Sequence, residues 1–115
     1  MAEKEYLKNR KKAYLDSDLP YSFKYKIVKA FIGKKCPICN VEMGYFCYDE
    51  AIGMMRIRTT SPTVQHNKPL SNGGTHSLDN ISVICLSCNN SIRNNETGKL
   101  NNAEVIEEWR KICQK

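Results

Sequence analysis

The sequence predicts a small α+β domain stapled by zinc, and three observations carry that prediction. A chain of 115 residues makes one domain with room for a helical arm, and it buries a smaller share of its surface than a large enzyme does. Four of the six cysteines form two CxxC pairs, Cys36-Pro37-Ile38-Cys39 and Cys85-Leu86-Ser87-Cys88. Short apolar runs of strand character lie between two stretches with helical spacing, which segregates sheet from helix along the chain.

The cysteine pairs supply the staple. MAEKEYLKNRKK is followed by no apolar h-region, so the expected setting is intracellular and cytoplasmic, where stable disulfides are rare. Paired CxxC turns in that setting read as one four-cysteine zinc site, because each turn offers two thiolates to a tetrahedral ion. Buried cysteine turns and a redox CxxC are the alternatives. Four protein ligands close the coordination sphere, so the expected Zn2+ is structural and any chemistry lies elsewhere. Cys47 and Cys113 read as small buried hydrophobes.

The rest of the composition excludes classes. No window approaches the roughly 18 apolar residues of a membrane span. An apolar fraction of 41% is too high for full disorder. Eighteen Lys plus Arg against 12 Asp plus Glu leave a charge of +6, which suits a polyanionic partner.

Element by element, residues 3–15 suit a basic helix and Asp16–Pro20 a break. In 21–32, Tyr25, Val28, Phe31 and Ile32 fit one helical face, although Phe23, Tyr25 and Ile27 also alternate as in a strand; Gly33 ends the segment. Residues 41–60 read as strands or a hairpin turning near Asp49-Glu50 or Gly53. Thr63–His66 is a short strand, NKPLSNGGTHSLDN over 67–80 a loop, and Ile81–Ile84 a strand. A short helix follows over about 86–94. The last helix spans 101–113, with Asn102 as N-cap and Val105, Ile106, Trp109 and Ile112 on one face.

The stretch Thr63–Asn95, read together with Cys36–Cys39, resembles the HNH nuclease family, the ββα-metal or His-Me finger endonucleases. The family pattern is a CxxC, a strand ending in an acid–His pair, a P-L-x-x-G-G loop, a D/E-N pair, a strand, and a CxxC followed by Asn or His. Here it reads Cys36–Cys39, Gln65-His66, Pro69-Leu70-Ser71-Asn72-Gly73-Gly74, Asp79-Asn80, Ile81–Ile84, Cys85–Cys88 and Asn89.

Three segments are expected: a basic N-terminal helical extension over 1–35 and a C-terminal helix over 96–115 packed on the domain, both read from residue pattern, around a zinc-stapled ββα-metal domain over 36–95 that the resemblance implies. The resemblance also implies a DNA endonuclease in which His66 is the general base on water, Asn80 orients that histidine, and Asn89 with residue 65 holds a catalytic Mg2+ or Mn2+. Where the family carries an acid, position 65 is Gln, a neutral ligand for a cation that favours carboxylates. The alternative is therefore a catalytically weak or inactive zinc module that binds DNA or a protein. Arg56, Arg58, Lys68, Arg93, Lys34 and Lys35 are the expected phosphate contacts. DNA is the expected partner and a membrane is not; a second copy of the chain, or a phage or host protein, is a further class. The size resembles that of stand-alone nicking proteins of phages and mobile elements. His76, in the loop, reads as a packing or loop-fixing residue.

Overall fold

A mostly apolar run interrupted by one serine, Ile81-Ser82-Val83-Ile84-Cys85, forms the strand around which the molecule is built, and all five residues are buried. The computed structural model describes residue 8 and residues 11–44, 47–49, 54–56, 59–92 and 95–114. Residues 11–15 are helical. Then come α1 (Phe23–Ala30), β1 (Cys47–Asp49), β2 (Met54–Arg56), β3 (Pro62–His66), β4 (Ile81–Cys85), α2 (Leu86–Ile92) and α3 (Asn102–Cys113). β1 and β2 pair antiparallel, with Cys47 opposite Arg56 and Asp49 opposite Met54. β3 and β4 form a second antiparallel pair, with Pro62 opposite Cys85 and His66 opposite Ile81. With α2 following β4 without a break, β3-β4-α2 is a ββα unit flanked by α1 and α3.

The core shows why α1 is a helix rather than a strand. Phe23, Ile27, Val28 and Phe31 are buried together with Met43, Ile81, Val83, Ile84 and Val105. Phe23, Ile27 and Phe31 recur every four residues and make one stripe. The expected face through Tyr25 is displaced, since Tyr25 is 64% exposed. Facing inward, the Phe stripe buries two phenyl rings, a larger apolar area than one centred on a tyrosine whose hydroxyl needs a partner. Trp109 of α3 meets Phe23 edge-on, with ring centroids 4.8 Å apart, so α1 and α3 close over the same core. Among the described residues no helix is long and apolar enough to cross a membrane.

Asparagines then tie the backbone. Asn101, not Asn102, precedes the first turn of α3. Asn101 accepts from Val83 N–H at 3.0 Å and donates to Val83 C=O at 2.8 Å. It thus occupies backbone groups that β3 does not reach. Asn102 is buried instead of capping, and its Nδ2 donates to Leu78 C=O and Ile81 C=O, each at 2.8 Å. Cys113 is exposed, contrary to its expected burial, because it is the last residue of α3, whose buried residues, Asn102 and Val105, lie in its first turn. The side chain of Cys47 lies outside the described residues.

The 67–80 loop contains two 3-10 turns, Leu70–Asn72 and Leu78–Asn80. Gly73 has φ +89°, a left-handed conformation that glycine adopts without a side-chain penalty. A Cβ on Gly74 would stand 1.9 Å from Lys68 O, so only glycine allows the loop to fold back on its own start.

Replacing Asn102 by Ala should leave two inward-facing carbonyls without their donor. The expected cost is about 1–3 kcal/mol, read as a lower melting temperature by circular dichroism with the spectrum otherwise retained.

Candidate active site and metal centre

The first CxxC sits on a tight knuckle. Cys36 N–H donates to Val41 C=O at 2.8 Å and Asn40 N–H returns to Cys36 C=O at 2.9 Å. Asn40 takes φ 64° to make the turn, a conformation that asparagine tolerates better than most residues. Gly33, three residues beyond the end of α1, takes φ 91° and donates to Met43 C=O, so helix and knuckle are joined. The second CxxC begins on the last residue of β4 and finishes in the first turn of α2.

These two turns bring Cys36, Cys39, Cys85 and Cys88 together, with all four Sγ atoms within 4.8 Å of one another. Cys39 Sγ and Cys85 Sγ are 3.7 Å apart. A tetrahedral zinc with Zn–S of about 2.3 Å has edges of about 3.8 Å. The cluster is consistent with a structural zinc site in donor type and spacing. Burial opposes ionisation of Cys36, but the backbone amides of Cys39, Cys85 and Ile38 outweigh it and bring this thiol down to about 7. Burial pushes Cys85 and Cys88 up. A divalent ion held by the four cysteines would supply the positive charge needed to ionise those two.

His66 ends β3. Its Nε2 lies 2.9 Å from His76 Nδ1. Tyr14 stands edge-on to His66 at 6.4 Å between centroids and lies tilted on His76 at 4.5 Å. Burial, and then the Lys24 charge, hold His76 below the usual histidine range.

Asn80 clamps the loop. Its Nδ2 donates to Lys68 C=O at 3.0 Å and Thr75 C=O at 2.7 Å, and its Oδ1 accepts from Lys68 N–H at 2.8 Å. Its own carbonyl accepts from Asn67 N–H, one residue beyond His66. Its hold on the histidine thus runs through the backbone and through the loop that carries His76. Asn89, on α2, donates from Nδ2 to Thr63 Oγ1 at 2.9 Å and Val64 C=O at 3.1 Å, pinning the helix against β3. Gln65 is buried, and its Nε2 donates to His66 C=O at 3.2 Å.

Gln65 and Asn89, the two residues expected to hold a divalent ion, carry neutral amides and no charge. Asp79 accepts from Ser77 Oγ at 2.6 Å on the exposed loop. Among the described residues, the four cysteines are the one cluster of three or more His, Cys, Asp or Glu able to hold a metal. The pair does not by itself fit a protein-held Mg2+ or Mn2+, which prefers carboxylates and phosphate.

Lys68 and Lys35 are exposed. Lys34 is 3.0 Å from Glu104 and 3.7 Å from Glu108, and the Glu104 bond holds its ammonium above the usual lysine range. Lys34 is thus occupied by α3. Arg56 lies on β2, and Arg58 and Arg93 fall outside the described residues.

The HNH endonuclease family matches residues 49–95. The match covers less than half of the chain. That segment takes in β3, the loop, β4 and α2, and with them His66, Asn80, Asn89 and the second CxxC, while the first CxxC lies before it. No curated protein and no solved structure matches the chain. Sequence reasoning missed the His66–His76 contact, because a stretch of loop separates the two rings in the chain. The available signal was Gly73-Gly74, which lets the loop double back.

The purified protein should hold one zinc ion per chain by elemental analysis. Its affinity should fall as pH drops, because protons compete for the thiolates. Stripping the metal should abolish cooperative unfolding, since structural zinc contributes about 10–16 kcal/mol, as much as a whole small domain is stable by. Cys39→Ser tests the ligand apart from the core, because Cys39 is exposed.

Proposed function

We propose that this protein is an HNH-type DNA endonuclease in which His66 takes a proton from water and the resulting hydroxide attacks a backbone phosphorus, expelling a deoxyribose oxygen. The observation that carries the reading is the ββα unit of the HNH segment, with His66 at the end of β3 and Asn89 on α2 bonded to the same strand. An ordinary histidine titrates near about pH 6.5, which suits general-base work at neutral pH. The charge of +6 and the exposed Lys35 and Lys68 support DNA as the polyanion. The zinc cluster supports the reading only as scaffold, holding the start of α2 against the knuckle.

In this reading Mg2+ or Mn2+ remains the cation that the family resemblance implies, and its capture depends on substrate oxygens because Gln65 and Asn89 bring no charge. The same observation favours a second reading, a DNA-binding module with little hydrolytic activity.

A plasmid nicking assay with Mg2+, Mn2+ or EDTA separates them. The nuclease reading expects metal-dependent conversion to nicked or linear DNA, reduced at least about 100-fold in His66→Ala. A gel shift with no conversion in either metal would favour the binding module. Gln65→Asp supplies the missing charge, and a clear rate gain at limiting metal is the expected outcome.

A further inference from the structure

The inner face of α1 is taken up by the core, and its outer face carries a different pattern. Lys24, Tyr25, Lys26 and Lys29 are all exposed, and Tyr21, just before the helix, is exposed in full. No Asp or Glu occurs between Asp18 and Glu42. Among the described residues no carboxylate pairs with Lys24, Lys26 or Lys29, whereas Lys34 is taken by Glu104 and Glu108. Folding does not ask for this pattern. The positive end of a helix dipole favours acids in the first turn; α1 has none there and carries Lys24 instead. Lys26 and Lys29 are neighbours of like charge on the helix surface, which costs stability rather than adding it. A tyrosine ring left in water contributes no burial.

Rings and charges are held together, and they begin beside the candidate site. Lys29 Nζ lies 5.0 Å from the centre of the Tyr25 ring and donates to its hydroxyl at 3.4 Å. Lys24 Nζ lies 5.4 Å from the centre of the Tyr14 ring, and Tyr14 stands edge-on to His66. Phe23, next to Lys24, meets His76 edge-on at 6.0 Å between centroids. The first turn of α1 is therefore close to the end of β3, and the helix runs from there toward the cysteine knuckle. From Lys24 to Lys29 its axis advances about 7.5 Å, room for about two nucleotide steps of a strand.

We propose that the outer face of α1 is a platform for an unpaired stretch of DNA strand: Tyr21 and Tyr25 stack on bases, and Lys24, Lys26 and Lys29 pair with the phosphates. The proposal rests on the nuclease reading for DNA as the polyanion and for the importance of standing beside His66. Aromatic rings interleaved with lysines fit a single strand, whose bases offer open faces; in a duplex those faces are stacked on one another. A bilayer is a poor match, because the apolar stripe that would have to enter it, Phe23, Ile27 and Phe31, is buried in the core. A duplex or an acidic protein would use the lysines alone.

Fluorescence anisotropy on the zinc-loaded, full-length protein tests this, with a labelled single-stranded oligonucleotide and the duplex of the same sequence, and no added Mg2+ or Mn2+. Tyr21→Ala combined with Tyr25→Ala should weaken single-strand binding by about 10–100-fold and duplex binding little. Replacing Lys24, Lys26 and Lys29 by Gln should lower the slope of log affinity against log salt on the single strand by about 2. All five side chains are exposed, so melting temperatures should be retained. Unchanged single-strand affinity in the tyrosine variant overturns the platform, and so does an equal loss on strand and duplex. Polyglutamate that displaces the strand as well as unlabelled single-stranded DNA does also overturns it, by giving the face to an acidic protein. A plasmid nicking assay keeps the two readings apart. Wild-type protein that binds the strand through its tyrosines but cuts nothing with Mg2+ or Mn2+ ends the nuclease reading and leaves the platform standing. Wild-type protein that cuts, with strand binding indifferent to the tyrosines, ends the platform alone.

Discussion

Four thiols drawn within bonding reach are the constraint on which the rest of this molecule depends. They connect a knuckle that follows α1 to the junction of β4 and α2, segments far apart in sequence. Both junctions are short, so the crosslink fixes more than two points. It sets where α1 enters the core through Phe31, where β4 stops, and the direction in which α2 leaves. A core assembled from a few large residues on α1, β4 and α3 gains little margin from burial alone. A zinc ion bound by the four thiolates would add the missing stability and at the same time orient the helix that carries Asn89.

A second layer of order comes from amides rather than apolar contact. Asn80 bonds backbone groups across its own loop, Asn89, Asn101 and Asn102 each bond groups of another segment, and together they stitch the loop, β3, β4, α2 and α3. An asparagine is short, stiff and able to donate and accept at once, so it can stand in for a strand neighbour or a turn. The richness in this residue carried no evident meaning in one dimension. In three dimensions it replaces regular secondary structure where the chain is too short to build more.

The candidate site inherits its character from this frame. β3 and α2 are held face to face, and the loop returns over His66 because Gly73 and Gly74 permit it. The electrostatics are lopsided. Positive charge is plentiful on the surface, while Gln65 and Asn89 bring no anion to the place where the family resemblance expects a cation. On the proposed nuclease reading, such a site would lean on the charge of its substrate more than on its own.

Much of this was written in the chain. The two CxxC spacings, the strand Ile81–Ile84, the helices at either end and the ordered motif from His66 to Asn89 are local patterns, and local patterns survive translation into structure because spacing and side-chain type set them. The sequence therefore determined the ββα frame and the cysteine cluster. It did not determine which face of α1 turns inward, because a Tyr stripe and a Phe stripe are both periodic and only packing against β4 and Trp109 selects one. Nor did it reveal that Lys34 is taken by α3 carboxylates, or that Asn102 is buried rather than a cap. Above all, the pairing of His66 with His76 belongs to the tertiary structure. A loop of this length can place its histidine almost anywhere, and only the folded positions of Tyr14, Ser17, Phe23 and Asn80 bring that ring against the end of β3.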